Sequence, residues 1–305
     1  MPCSSPRCSR GRGEPGTVAR TRCTPPTRGV HVIDDSTGRR FAGKVAFVTG
    51  AARGQGRSEA VRFAEEGADL IVLDACTDFA STSYPGATED DLAETVRLVE
   101  KVGGRIHAGT ADVRDFDAVD AVLAEGAERF GGPDFVVANA GICSSALSWE
   151  IGLDQWKETI DVNLTGVFHT AKAAIPRMIE HGRGGSIVFT SSLSGLKGTP
   201  FTGHYVASKH AVTGLAKTMA NELGEHRIRV NTVHPAGVES GMDMSDMGPL
   251  LDRFQHTLSP IYMNTLPYTI LQPEDVAAVV AWLCSDDARY TTGAAVPVDF
   301  GNLNR

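Results

Sequence analysis

A tyrosine and a lysine four residues apart are the side chains of this sequence best suited to acid–base chemistry. Tyr205 and Lys209 have helical spacing, so both side chains would lie on one face of a helix. A tyrosine with an ordinary pKa of about 10 is a weak base at neutral pH, but a neighbouring ammonium favours the tyrosinate. Such a pair can remove a proton from an alcohol while hydride leaves its carbon. Because a lone Tyr-x-x-x-Lys pattern also arises by chance as an exposed helix pair, its weight depends on the surrounding motifs.

A serine that could hold the oxygen of the same substrate precedes Tyr205 by thirteen residues. Ser192 follows the run Ser186–Thr190, which predicts a strand, and parallel sheets build their sites at the carboxyl ends of strands. Ser191 and Ser194 are the alternatives if the register of the strand differs.

A glycine-rich turn near the start of the regular part of the chain has the form TGxxxGxG over residues 49–56. Gly50, Gly54 and Gly56 would let the backbone approach a pyrophosphate, and the following helix would donate its N-terminal N–H groups. Any tight turn selects glycine, so it is the position between the predicted strand 45–48 and a helix that indicates a nucleotide site.

Two charged residues bear on which nucleotide would bind. Asp74 ends the second predicted strand, where a carboxylate binds ribose hydroxyls and repels a 2′-phosphate, which favours NAD over NADP. Arg53 favours NADP if its guanidinium meets that phosphate, but it could equally face solvent. We expect Asp74 to decide, and therefore NAD.

Short apolar runs and helical stretches alternate from Lys44 onwards. Strands are predicted at 45–48, 70–73, 105–108, 135–138, 186–190, 229–233 and 295–298. Helices are predicted at 57–66, 88–101, 115–130, 154–181, 203–224 and 273–285. The alternation predicts a single α/β domain over residues 34–305, a doubly wound parallel sheet with helices on both faces.

Composition argues against several other classes of protein. No apolar run approaches the roughly 18–20 residues that span a bilayer, so we expect a soluble, cytoplasmic protein with no membrane partner. The net charge of −8 makes the chain a poor ligand for nucleic acid. The six cysteines form neither a CxxC pair nor a cluster with histidine, so we expect reduced thiols and no metal site.

Residues 1–33 differ in composition from the rest of the chain. They contain six arginines and one acidic residue among many Pro, Gly, Ser and Thr residues, and lack the apolar centre of a secretory signal. The prolines and glycines oppose the amphipathic helix of a transit peptide. We expect a disordered tail or an over-long gene start, with the natural protein beginning near Val30.

Five motifs in one order resemble the short-chain dehydrogenase/reductase family over about residues 41–300. They are TGxxxGxG at 49–56, Asn139-Ala140-Gly141, Asn163 in an Asp-Val-Asn-Leu run, Ser192, and Tyr205-x-x-x-Lys209. The resemblance implies a Rossmann-type fold in which Tyr205 is the acid/base and Ser192 orients the substrate. It implies that Lys209 lowers the tyrosine pKa and holds the nicotinamide ribose, while Asn163 maintains a proton-relay water. A homotetramer built on the helices that carry Asn163 and Tyr205 is also implied.

The same resemblance implies a set of NAD contacts. The residues are Gly50, Arg53, Gly54, Gln55, Gly56, Asp74, Asp112, Val113, Asn139, Ala140, Gly141, Tyr205, Lys209, Pro235, Gly237, Val238 and Ser240. Asp112 and Val113 would flank the adenine, and Val238 and Ser240 would hold the carboxamide. The chain departs from the family at Pro235-Ala236-Gly237, where Pro-Gly is common, which leaves the carboxamide contacts open.

Three details resemble the mycofactocin-coupled subgroup of the family, which includes carveol dehydrogenase-like enzymes. They are the Gly-Gln-Gly-Arg turn, the long loop 75–88 with Tyr84-Pro85, and Gly198-Thr199-Pro200 before Tyr205. Members of that subgroup hold NAD without releasing it and pass electrons to a redox carrier. Loop 75–88 could cover the adenosine half of the cofactor, or it could be an ordinary surface loop.

The segment 241–270 has the position of the family's substrate lid and is rich in methionine and aliphatic residues. Flexible apolar side chains suit an adaptable pocket, so we expect a lipophilic, terpenoid-like secondary alcohol as substrate. The alternatives are an NADP-linked ketone reductase and a non-catalytic protein that senses NAD.

Overall fold

Seven short runs of β-branched and apolar residues form the strands of one parallel sheet. The computed structural model describes residues 39–305, so the predictions made for residues 1–33 lie outside the described residues. The strands are β1 (Val45–Thr49), β2 (Asp69–Asp74), β3 (Ile106–Thr110), β4 (Phe135–Ala138), β5 (Gly185–Thr190), β6 (Ile228–Pro235) and β7 (Ala295–Val298). Their spatial order is β3-β2-β1-β4-β5-β6-β7, and every neighbouring pair is parallel.

The helices return the chain from one strand to the next and cover both faces of the sheet. They are α1 (Gly54–Glu65), α2 (Glu89–Lys101), α3 (Phe116–Phe130), α4 (Leu153–Ile160), α5 (Gly166–His181), α6 (Gly203–Glu222), α7 (Gly248–Arg253) and α8 (Pro273–Cys284). One core contains Leu123 of α3, Ala174 of α5 and Val212 of α6. The other contains Ala60 of α1 and Val280 of α8. The predicted doubly wound α/β fold is therefore confirmed.

The direction of the strand order changes between β1 and β4. From β1 the chain first proceeds to β2 and β3 on one side, and then crosses to β4 on the other side. Connections that leave a parallel sheet in opposite directions open a crevice at the carboxyl ends of the strands. This crevice lies beside the glycine-rich turn after β1.

The predicted helix over 154–181 is interrupted by a π-helical turn at Asp161–Thr165, between α4 and α5. Asn163 lies in this turn, and its amide exchanges two hydrogen bonds of 2.8 Å with the backbone N–H and C=O of Ile142. Next to it, a Cβ atom at Gly166 would lie 2.4 Å from Val113. Widened turns in helices are frequent at functional sites, and sequence periodicity does not reveal them.

The segment 241–270, predicted to be irregular, contains two short 3₁₀ turns and α7. The turns are Ser245–Met247 and Ser259–Tyr262. Among the described residues, no helix has the length and apolar character needed to cross a membrane, and no group of ligating side chains could hold a metal ion.

A glutamate is buried without partners in the core beside α8. Glu59 of α1 is fully buried, and neither of its carboxyl oxygens has a hydrogen-bond partner among the residues described. Burial raises the pKa of Glu59 from 4.5 to about 8. The carboxyl must therefore take up a proton on folding at neutral pH.

We predict that Glu59→Met stabilises the protein above pH 5. Because the folded-state pKa lies above the unfolded value, Glu59 imposes no ionisation penalty below pH 4.5, and stability is lost as the pH rises towards 8. The penalty at pH 7 is roughly 3 kcal/mol. Urea unfolding at pH 5.5 and pH 8.5 measures it. The loss of stability between these two pH values should largely disappear in the variant, and an undiminished loss would contradict the assignment.

Candidate active site

The sequence motifs converge at the carboxyl edge of β1, β4 and β5. A cavity of about 570 Å³ opens there, and Asn139, Ser192, Tyr205 and Lys209 all line it. Asn163 lies behind these residues and hydrogen-bonds the backbone of Ile142. Its Nδ2 lies 3.3 Å from the hydroxyl oxygen of Ser208. The structure thus brings together the four side chains predicted to perform the chemistry.

Tyr205 and Lys209 lie side by side on α6, and burial dominates the ionisation of both. The lysine Nζ is 5.5 Å from the centre of the tyrosine ring and donates a 2.7 Å hydrogen bond to the carbonyl of Thr190. Burial raises the pKa of Tyr205, which a hydrogen bond from Ser192 partly offsets, and burial lowers the pKa of Lys209 to about 8. Desolvation therefore leaves the pKa of Tyr205 above its ordinary value, and the expected lowering by Lys209 stays a prediction.

The three neighbouring serines have different partners. The hydroxyl of Ser191 donates to the carbonyl of Lys209 at 3.1 Å, and that of Ser194 lies 2.7 Å from the hydroxyl of Thr199. The hydroxyl of Ser192 accepts the N–H of Ser194 at 3.1 Å and hydrogen-bonds Tyr205. Of the three, Ser192 is thus the one that contacts the tyrosine.

The glycine-rich turn has the geometry of a phosphate cradle. Gly50 and Gly54 have positive φ angles of 68° and 55°, which glycine adopts without strain. Helix α1 begins at Gly54, three residues earlier than predicted, and no side chain caps its N-terminus. The side-chain oxygen of Gln55 is buried nearby and has no partner among the described residues. Free N–H groups at a helix N-terminus fit a pyrophosphate.

Gly56 lets helix α1 approach the glycine-rich turn closely. A Cβ atom there would lie 2.2 Å from the carbonyl oxygen of Gly50, so only glycine lets α1 pack this closely against the turn. Asn139 fastens the same turn, since its Nδ2 donates to the carbonyls of Thr49 and Gly50 at 3.2 Å.

Asp74 and Arg53 occupy different parts of the crevice. One carboxylate oxygen of Asp74 accepts the N–H of Ala52 at 3.0 Å and the other that of Cys76 at 3.1 Å, and the residue lines the crevice. The guanidinium of Arg53 donates to the carbonyls of Pro85 and Gly86 at 2.8 and 3.2 Å. Arg53 therefore holds loop 75–88, a role that the sequence did not indicate.

The remaining predicted cofactor residues divide between two adjoining cavities. The crevice beside the glycine-rich turn is lined by Asp112, Val113, Asn139, Ala140 and Gly141. The larger cavity is lined by Pro235, Gly237 and Val238, and both are lined by Gln55 and Ser240.

Two residues of the site were assigned no contact from the sequence, although Tyr84 belongs to one of the subgroup motifs. Tyr84 of loop 75–88 is almost fully buried, lines the crevice, and accepts the N–H of Cys143 at 3.1 Å. Cys143 lines the larger cavity, and burial raises the pKa of its thiol to about 12. Both positions depend on loop paths, so only the apolar character of Tyr84 within a polar loop could have indicated its burial.

A dinucleotide crevice beside a half-buried serine and tyrosine and a buried lysine defines a class of Rossmann-fold oxidoreductases. A family model described as enoyl-(acyl carrier protein) reductase matches residues 50–302. A putative short-chain type dehydrogenase/reductase of Mycolicibacterium smegmatis is 48% identical over 87% of this chain and 98% of that protein. The chain belongs to the short-chain dehydrogenase/reductase family.

Two further similarities concern relatives with a named activity. The (−)-trans-carveol dehydrogenase of Rhodococcus erythropolis is 44% identical over 86% of this chain and 98% of that enzyme. The crystal structure of carveol dehydrogenase from Mycobacterium avium in complex with NAD has a TM-score of 0.83 and 46% identity, and covers 88% of this chain and 100% of that one.

Proposed function

We propose that this protein is an NAD-dependent dehydrogenase that oxidises a neutral, lipophilic secondary alcohol to a ketone. The observation that carries the proposal is that Ser192, Tyr205 and Lys209 line one cavity, which adjoins the glycine-rich crevice. Bound NAD supplies the hydride acceptor. The carveol dehydrogenase relatives support an alcohol as the hydride donor.

In this proposal each side chain acts on the alcohol or on its proton. Ser192 holds the alcohol oxygen while Tyr205 accepts the proton of the alcohol hydroxyl. Lys209 then carries charge and protons away from the tyrosine phenol. Asn163, fixed on Ile142, supports the exit path for the proton. Because burial favours the neutral phenol, the tyrosinate needs a positive charge beside it, which Lys209 and, when NAD is bound, its nicotinamide would supply.

Removing the phenol hydroxyl separates catalysis from cofactor binding. We predict that Tyr205→Phe lowers kcat by about 10²- to 10⁴-fold while the NAD content of the purified protein is unchanged. Steady-state oxidation of carveol and mass spectrometry of nucleotide released on denaturation measure the two effects. A protein that senses NAD without turnover would show no alcohol oxidation in either form, and retained activity in the variant would remove Tyr205 from the mechanism.

The choice of NAD over NADP follows from the two charges of the crevice. Asp74 lines the crevice with its carboxylate, and Arg53 is committed to the carbonyls of loop 75–88. The 2′-phosphate of NADP would be repelled by the carboxylate of Asp74 and would find no free cation at Arg53. Recovery of NADP in the released nucleotide would instead favour the NADP-linked ketone reductase.

The larger cavity indicates the charge of the substrate. Its lid side carries Met242, Met244 and Met247, and Lys209 is the one cation among the described residues that line it. The acidic lining residues Glu239 and Asp243 are both exposed. Apolar walls and acidic groups favour neutral alcohols and disfavour anionic ones.

We predict that 4-methylcyclohexanol is oxidised with a higher kcat/KM than trans-4-hydroxycyclohexanecarboxylate, by at least about tenfold. The two compounds place the same hydroxyl on the same ring, so the comparison isolates the carboxylate, whose desolvation no lining cation other than Lys209 can offset. Initial rates at several concentrations give the ratio. Equal kcat/KM values, or faster oxidation of propan-2-ol than of either ring, would contradict the proposed substrate class.

Loop 75–88 is fastened over the crevice at three separate points. Arg53 binds its carbonyls, Tyr84 meets the N–H of Cys143, and the N–H of Ser81 donates to the carboxylate of Glu158 at 2.8 Å. We propose that this loop slows the release of NAD, and that an external redox carrier reoxidises the retained cofactor. An ordinary mobile surface loop would not need contacts at three separate points.

We predict that Arg53→Met speeds NAD release by about tenfold or more, because it removes two charge-assisted hydrogen bonds from the loop. Arg97→Met is the matched control, since Arg97 pairs only with Glu94 of α2, on the surface. Exchange of bound NAD against isotopically labelled NAD, followed by mass spectrometry, gives the rate. If release is equally fast in both variants and in the unaltered chain, the loop does not control retention.

We also propose that two copies of the chain associate through α4 and α5 within a homotetramer. Leu153 and Trp156 of α4 and Phe168 of α5 are 87%, 44% and 42% exposed. Large apolar side chains gathered on one helical surface favour association with a second copy.

A further inference from the structure

A histidine that belongs to none of the motifs lies directly behind the site. His234 is the penultimate residue of β6, is fully buried, and lies close enough to α6 for the charge of Lys209 to affect it. The next residue, Pro235, begins the segment that lines the larger cavity opposite Ser192.

Both ring nitrogens of His234 have a partner at short distance. Nδ1 lies 2.7 Å from the carbonyl oxygen of Ser192, and Nε2 lies 2.7 Å from the hydroxyl oxygen of Thr232. A carbonyl oxygen can only accept, so Nδ1 must carry a proton. Burial lowers the pKa of His234 to about 4, so the ring is neutral at physiological pH and Nε2 accepts the hydroxyl proton of Thr232.

The hydrogen bond from His234 completes the fixation of Ser192. The backbone carbonyl of Ser192 also accepts the N–H of Gly195 at 2.8 Å, and its hydroxyl oxygen accepts the N–H of Ser194. The two turn contacts come from the short 3₁₀ turn that follows the serine. His234 adds a side-chain contact between Ser192 and β6, next to the backbone hydrogen bond from the N–H of Ser191 to the carbonyl of Val233 at 2.9 Å.

We infer that His234 is a positioning residue, which holds the backbone of Ser192 so that its hydroxyl meets the substrate oxygen at the right distance from Tyr205. The imidazole links the serine that holds the alcohol to the strand that leads into the nicotinamide-facing segment Pro235–Val238. This inference rests on the proposed alcohol oxidation.

Two substitutions at this position separate positioning from packing. His234→Leu fills the space without a donor, whereas the amide nitrogen of His234→Asn can reach about the position of Nδ1. His107→Leu, at a buried histidine of β3, controls for the loss of a core imidazole. Rates are expressed per NAD-loaded chain, and the melting temperature of each variant is recorded.

We expect His234→Leu to lower kcat by about 10²-fold, since a displacement of about 1 Å at a reacting group has a cost of that size. KM and NAD content should change little, and the kinetic isotope effect for carbinol-deuterated alcohol should rise. His234→Asn should recover at least about tenfold of the loss, and His107→Leu should keep kcat unchanged. Unaltered kcat in His234→Leu, or equal losses in the Leu and Asn variants, would overturn the inference.

A measurement without turnover tests the hydrogen bond itself. In protein labelled with ¹⁵N-histidine, His234, assigned by its absence from the spectrum of His234→Asn, should show a protonated Nδ1 and an unprotonated Nε2 from pH 6 to pH 9. An Nε2-protonated ring would overturn the inference even if the enzyme is active. Conversely, lack of alcohol oxidation by the unaltered chain would contradict the proposed function, while this spectrum would still decide whether His234 holds Ser192.

Discussion

Parallel pairing of β1 with β2 on one side and β4 on the other is the constraint on which the rest of the structure depends. Because all seven strands run the same way, their carboxyl ends meet at one edge, and the reversal of strand order beside β1 leaves that edge open. The glycine-rich turn, Asn139 and Ser192 follow β1, β4 and β5 in turn. Residues far apart in sequence therefore share one cavity without any special long-range attraction between them.

Desolvation governs the electrostatics of that cavity. Lys209 is buried and Tyr205 is half-buried, and desolvation drives each towards its neutral form. Hydrogen bonds compensate where partners exist: Lys209 donates to Thr190, and the hydroxyl of Ser192 lies against Tyr205. A positive charge brought in by a cofactor would act strongly here, since little water screens it. The ionisation of Tyr205 and Lys209 therefore depends on the charge of the ligand that binds beside them.

Directed polar contacts help to hold the loops over the two cavities, beside an apolar cluster in which Met247 packs with Leu147 and Phe201. Arg53 holds loop 75–88, and Asp246 of the segment 241–270 accepts the N–H of Ser145 at 2.8 Å. Lys197 donates to the carbonyl of Ile261 and to Asn302, which ties the same segment to the end of the chain. These contacts can break and re-form at modest cost, as segments that cover a binding site require.

The amino-acid sequence by itself determined the strands, most helix boundaries and the sheet class, because burial on both faces produces continuous apolar runs and helices keep a periodic apolar face. It also indicated Ser192, Tyr205 and Lys209, whose chemical types and spacing are local properties. The π-helical turn at Asn163, the carbonyl contacts of Arg53 and the pairing of His234 with Ser192 were decided only by the tertiary structure. Each depends on a partner 21 to 42 residues away, and no local pattern records which distant backbone group a side chain will meet. The rise in the pKa of Tyr205 was also decided only by the tertiary structure, because desolvation depends on the whole surrounding fold.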